Sequence, residues 1–148
     1  MWLDKYSLRP ATEADFPEIK ALIHQARINP TKLDWRRFTV AVLGGEVIGC
    51  AQLKPVPGSL TELASLAVRP AYRHQGIARA LIEHLLTDAP RPVYLTCRSG
   101  LEALYEKFGF RTLAVDDMPV YYRRVQRLVN TFVKLTYRDE TLLVMKLG

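Results

Sequence analysis

Residues 69–82 read RPAYRHQGIARALI. A proline closes one element, a short polar stretch follows, and a run with helical spacing begins at a glycine. The first amides of a helix have no acceptor within it, and the aligned peptide dipoles add partial positive charge at that end. A strand that turns directly into a helix therefore offers an anion site. Gly76 allows unusual dihedrals and close approach to the backbone. Ala78 keeps the next turn narrow, and Arg73 brings a full positive charge to the same mouth. The chemistry is that of gripping a pyrophosphate with backbone amides, and the candidate binding residues are Arg73, His74, Gln75, Gly76, Ile77 and Ala78. The same residues would also serve as a plain helix start beside a solvated arginine. A dinucleotide fold is disfavoured, because its glycine loop follows the first parallel strand. The Lys-Ser/Thr end of a P-loop is missing.

Other reactive side chains are fewer. Cys97 ends an apolar stretch, but a cysteine nucleophile needs an activating partner and none is visible. Cys50 and Cys97 are expected to be buried thiols in a reducing, cytoplasmic compartment. His74 is expected to donate to an anion or face solvent, and His24 and His84 to lie on helix surfaces. No cluster of His, Cys, Asp and Glu has metal-ligand spacing, so no metal is expected.

The elements that would position these residues follow from periodicity and punctuation. A first strand from Tyr6 ends at Pro10. Thr12 and Asp15 stand in capping-box spacing, and Phe16, Ile19, Leu22, Ile23 and Ala26 share one face of the helix that follows. FTVAVL, Gly44-Gly45 and EVIGCAQLKPV form a hairpin signature, and LTELASLAV over residues 60–68 adds a third antiparallel strand. After Pro70 the period changes from 2 to about 3.6, giving a helix from Gly76 to about Leu86. PVYLTC from Pro92 reads as a buried strand. GLEALYEKFGF is a short helix stopped by Gly109, and FRTLAV is a further strand. Tyr121, Val125, Leu128, Val129 and Phe132 then fall on one face, opposite Arg123, Arg124, Arg127 and Asn130, as in an amphipathic helix. TLLVMKL closes the chain. The order predicts an α/β fold: one domain over 1–148, with a mostly antiparallel mixed central sheet and helices on both faces.

The composition fits a globular chain: 148 residues, 49% hydrophobic and 24% charged. No stretch approaches the roughly 20 apolar residues of a membrane span, and the start does not read as a signal peptide. The net charge of +6 is evenly spread. Residues 1–60 carry 8 basic and 6 acidic groups, residues 61–115 carry 7 and 5, and residues 116–148 carry 6 and 4, so each part is +2. Nucleic-acid binders usually concentrate their charge, so neither nucleic acid nor membrane is an expected partner.

Three separated stretches carry a resemblance. LASLAVRPAYRHQGIARALI resembles the acetyl-CoA signature of the GNAT superfamily of N-acetyltransferases, Gln/Arg-x-x-Gly-x-Gly/Ala, which Arg73, Gly76 and Ala78 match. LYEKFGF resembles that family's C-terminal motif, and LRPATEADFPEIKALI its usual opening. The likeness covers about residues 6–115. It implies acetyl-CoA as cosubstrate and direct acyl transfer to a primary amine. The backbone of Leu66, Ala67 and Val68 would hold the pantetheine arm, and the amides from Arg73 to Ala78 the pyrophosphate. The Val68 amide would stabilise the oxyanion. Tyr105 matches the motif tyrosine that protonates the leaving thiolate. Glu62, on the strand leading to Val68, is the candidate general base, as in family members that carry a glutamate there.

The block ELASLAV…YR…QGIA…YLTCRSG…LYEKFGF also resembles the acetyltransferase domain of N-acetylglutamate synthases. That likeness implies a small amine such as an amino acid, for which Arg27 and Arg98 are candidate anion partners. A peptide or protein lysine, or an N-terminus, is the alternative acceptor. A non-catalytic acyl-CoA-binding module is the rival class. The chain departs from the family pattern at about 119–137, where an extra helix separates the last two strands. That helix is expected to lid the acceptor pocket or to form the interface of a homodimer.

Overall fold

The structure is a computed structural model that describes residues 6–133 and 140–148, with Phe132 and Val133 as backbone only. In chain order the elements are β1 (Ser7–Pro10), α1 (Phe16–Gln25), β2 (Phe38–Leu43), β3 (Glu46–Val56), β4 (Leu60–Val68), α2 (Ile77–Thr87), β5 (Val93–Arg98), α3 (Glu102–Glu106), β6 (Arg111–Thr112), α4 (Val120–Val133) and β7 (Leu142–Leu147). The strands are hydrogen-bonded in the order β1-β2-β3-β4-β5-β7-β6. The β1–β2, β2–β3, β5–β7 and β6–β7 ladders are antiparallel, and β4–β5 is parallel. This is the mostly antiparallel α/β sheet that the sequence predicts. The chain divides into two compact units, Met1–Lys54 with Leu63–Ala89, and Pro55–Glu62 with Pro90–Gly148.

In the first unit, alternation along β2 and β3 sends successive side chains to opposite faces. Val40 and Cys50 meet Ile19, Leu22 and Ile23 of α1 on one face. Ala41, Ile48 and Ala51 meet Ile77 and Leu81 of α2 on the other. The hairpin turns at Gly44-Gly45, both left-handed at φ +57° and +78°, as a type I′ turn requires. The register then slips. Ala41 pairs with Gly49 but Val42 with Val47, so Ile48 is the extra residue of a bulge. A Cβ on Gly49 would stand 3.1 Å from Ile77 and 3.3 Å from Leu81. The absent side chain lets α2 lie this close to the sheet.

In the second unit, β5 and β7 pair along their whole lengths, from Val93–Leu147 to Arg98–Leu142. Val56, Tyr94, Met118, Tyr122 and Val144 form the core beneath α4. The strand expected over FRTLAV is shorter than the sequence suggests. Only Arg111 and Thr112 pair with β7 as strand, Leu113 adds one bond to Val144, and Val115–Asp117 curl into a 3-10 turn. Polar Asp116 and Asp117 followed by Pro119 favour that turn over further strand. The face of α4 is also rotated from the expected one. Tyr122 is fully buried while Leu128 is 61% exposed. Asn130, placed by the pattern on the polar side, accepts the Leu142 N–H at 2.7 Å, and Gln126 donates to the Leu142 carbonyl at 3.0 Å. Residues 134–137 of the expected helix and the Phe132 side chain lie outside the described residues.

Candidate functional site

The candidate anion cradle lies in the first unit. Arg73 is extended, His74 is left-handed at φ +64°, and Gly76 is left-handed at φ +84° as the N-cap of α2. Two left-handed residues so close together turn the chain sharply and give Gly76 a geometric reason. No side chain caps the helix. The first bond into Gly76 comes from Ala80, so the amides of Ile77, Ala78 and Arg79 have no acceptor within the helix. A Cβ on Gly76 would meet nothing within 4 Å. Uncapped amides beside an uncrowded glycine are what a pyrophosphate needs, and the residues present fit one.

The strand end that precedes the cradle is held by unusual contacts. Ser65 is left-handed within β4, at φ +58°, the mark of a bulge. Gln52 Nε2 donates to Ser65 Oγ at 2.8 Å, and the Cys50 thiol donates to the Ser65 carbonyl at 3.6 Å. The Arg69 amide donates to the Ile48 carbonyl at 2.8 Å. Strand alternation then turns the Val68 amide away from β3. The Val68 carbonyl accepts from Arg73 Nε at 3.1 Å, which holds the guanidinium at the strand end. Leu66 and Val68 pack on the α2 side and Ala67 on the α1 side.

The two residues expected to move protons lie in the second unit. Glu62 is 6% exposed and stands opposite Tyr94 in the parallel ladder, which consists of Thr61–Val93 and Glu62–Tyr94. Its Oε1 accepts the Tyr122 hydroxyl at 2.7 Å. Tyr122 stacks on Tyr94 with ring centroids 5.3 Å apart, and Tyr121 meets Tyr122 edge-on at 5.0 Å. Burial, then the Glu62 charge, push both the Tyr122 and the Tyr121 hydroxyls above the usual phenol range. Tyr121 also lines an open groove of about 430 Å³ with Pro57, Gly58, Leu60, Pro119, Val120 and Arg124. Tyr122, Tyr121 and Arg124 were not among the expected site residues. A pattern starting at Tyr122, through Val125 and Val129, was the available signal, and the polar Gln126 within that face masked it.

Tyr105 is buried on α3, edge-on to Phe110 at 6.2 Å. Burial, then the neighbouring Cys97, raise its hydroxyl to about 12, so it holds its proton at neutral pH. Burial and the Glu102 charge raise the Cys97 thiol to about 11, the opposite of an activated nucleophile. His24, His74 and His84 are exposed, as is Arg27. Arg98 pairs with Glu140 at 3.5 Å. Among the described residues no three His, Cys, Asp or Glu side chains gather as metal ligands, and no helix is long and apolar enough to cross a membrane.

Residues 4–110 match the profile of the acetyltransferase (GNAT) family. The chain belongs to this family. An uncharacterised N-acetyltransferase of Chlorobaculum tepidum is 33% identical over 89 residues, 57% of this chain and 56% of that protein. The chain therefore spans little more than half the length of this curated relative. Solved structures share the fold. N-acetylglutamate synthase from Neisseria gonorrhoeae, complexed with coenzyme A and N-acetyl-glutamate, superposes with a TM-score of 0.70 at 23% identity, over 97% of this chain and 35% of that one. A Mycobacterium tuberculosis protein in complex with CoA and NLQ gives 0.68 at 23% identity, over 93% of this chain and 97% of that one.

Proposed function

We propose that this GNAT chain is a cytoplasmic N-acetyltransferase that moves an acetyl group from acetyl-CoA to the primary amine of a small molecule, such as an amino acid, with residues 1–148 acting as one domain. Attack is direct, within a ternary complex. The α2 cradle, Arg73 to Ala78, holds the pyrophosphate, and the backbone of Leu66, Ala67 and Val68 holds the pantetheine arm. Glu62 takes the proton from the incoming amine, directly or through water. The amine nitrogen bonds to the thioester carbonyl carbon, and the Val68 amide donates to the oxyanion. The carbon–sulfur bond breaks, and Tyr105 gives its proton to the thiolate.

The observation that carries the small-acceptor reading is the groove lined by Tyr121, which packs edge-on against the Tyr122 that donates to Glu62. Its volume of about 430 Å³ suits a small ligand. Its walls are largely apolar, with Arg124 as the charged group, a partner for a carboxylate. The N-acetyl-glutamate bound to the Neisseria enzyme agrees with that chemistry.

The test is acetyl-CoA-dependent release of free thiol, scanned over amino acids including glutamate, polyamines, aminoglycosides and lysine peptides. Activity is expected on an amine that also carries a carboxylate. Tyr105→Phe should lower turnover by about 10²-fold. Release only with lysine peptides would replace the small acceptor by a protein. Silence across the panel, with acetyl-CoA bound tightly in a calorimeter, would favour a binding module.

A further inference from the structure

We infer that Tyr122 of α4 is a positioning residue for the Glu62 carboxylate, holding its Oε1 through the phenol hydrogen bond so that the carboxylate meets the acceptor amine in one orientation. The inference rests on the reading of Glu62 as general base.

The geometry is specific. Tyr122 is fully buried and Glu62 nearly so, and their oxygens are 2.7 Å apart, a normal distance for a hydroxyl on a carboxylate. The phenol ring cannot swing away, because it is stacked on Tyr94 at an interplanar angle of 27° and Tyr121 abuts it at 72°. Tyr94 is the ladder partner of Glu62, so one strand pair fixes the carboxylate and the ring beneath its donor. Among the described residues, Tyr94 on β5 and Tyr121 on α4 are ionisable groups beside the pair, and Lys146 Nζ on β7 lies 5.9 Å from the centre of the Tyr94 ring.

The chemistry of the donor matters. A phenol whose own proton is held tightly donates a hydrogen bond without surrendering the proton. It stabilises the charged carboxylate and orients it, yet leaves it able to accept a proton elsewhere. A guanidinium in the same place would neutralise the charge outright. Residues 60 positions apart in sequence thus meet in one hydrogen bond.

The experiment measures kcat and KM against pH for the intact chain, Tyr122→Phe, Glu62→Gln and the double variant, with the best amine from the thiol-release panel. Phenylalanine keeps the ring and its stacking, so folding is expected to survive, checked by circular dichroism. Losing the donor removes a stabiliser of the carboxylate form, so the acidic limb of the Tyr122→Phe profile should rise by about one pH unit. At a pH on that limb kcat should fall several-fold and recover at higher pH, with KM for acetyl-CoA unchanged. In the Glu62→Gln background, Tyr122→Phe should add nothing, because residues acting through one group are not additive. An unmoved limb in Tyr122→Phe, with Glu62→Gln inactive, overturns the inference and leaves the base assignment standing. Full activity in Glu62→Gln overturns the base assignment itself. If Tyr122→Phe fails to fold, uniform 3-fluorotyrosine carries the test: a more acidic phenol donates more strongly and should lower the acidic limb. An unmoved limb there also overturns the inference.

Discussion

Asp15 illustrates how much one carboxylate can organise. Its oxygens accept from Arg9 Nη1 at 2.6 Å and Nη2 at 3.0 Å, from the Thr12 amide at 2.7 Å and from the Thr12 hydroxyl at 3.1 Å. The first two tie β1 to the start of α1, and the others complete the capping box. The Arg9 hydrogen bonds, more than any other contact, hold the acid at about 2, below the ordinary aspartate value of about 3.9. A depressed folded-state value means the carboxylate contributes stability above about pH 4, and that contribution disappears as pH falls through about 2. Asp15→Asn should therefore lower stability by about 1–3 kcal/mol at pH 7. The gap to the intact chain should close as the pH approaches 2. Urea midpoints measured for both proteins from pH 7 to pH 2 check this, and a gap that stays constant with pH would remove the charge from the explanation.

At the scale of elements, α4 shows what a sequence pattern resolves and what it leaves open. The helix is legible from its spacing, but two overlapping apolar stripes are available, one beginning at Tyr121 and one at Tyr122. Hydropathy favours the first, because Leu128 belongs to it and the second contains Gln126 and Asn130. Tertiary hydrogen bonding decides for the second, since Gln126 and Asn130 satisfy the backbone of Leu142. Elements marked by special residues were easier. Gly44-Gly45, Gly76 and Gly109 are all left-handed, and each falls where an element was expected to begin or end. Ser65 is left-handed too, yet a serine inside LTELASLAV gives no such signal. The 2.7 Å bond from Tyr122 to Glu62 is equally invisible, because it depends on how α4 lies against β4. The rotated face makes a direct prediction. Leu128→Gln should change stability by less than about 0.5 kcal/mol, whereas Tyr122→Ala should cost about 3–5 kcal/mol. Chemical denaturation of both variants measures the difference. A large loss from Leu128→Gln would return the helix to the face that hydropathy suggests.

For the molecule as a whole, the two cysteines report how often its cores open. Cys50 is fully buried and Cys97 nearly so, and burial raises their thiols to about 12 and about 11. At pH 8 the reactive thiolate is then only about one part in 10³ to 10⁴ of each, before access is considered. Labelling must wait for an opening that exposes the sulfur, so its rate measures local or global unfolding. Cys50 lies in the core with α1, whereas Cys97 lies on β5, 3.8 Å from Met145 of β7, so each thiol reports on its own unit. The expected result with DTNB at pH 8 is slow labelling of both in the native chain and rapid labelling of both in urea. Cys97, less deeply buried and with the lower value, should react first. CoA added at about 100 times its dissociation constant would stabilise the folded state by about 2.7 kcal/mol if only that state binds it. Labelling that proceeds through global unfolding should then slow by roughly 100-fold, and labelling through local opening by less. A thiol that reacts within seconds and ignores CoA would mean that its core is open in the resting chain.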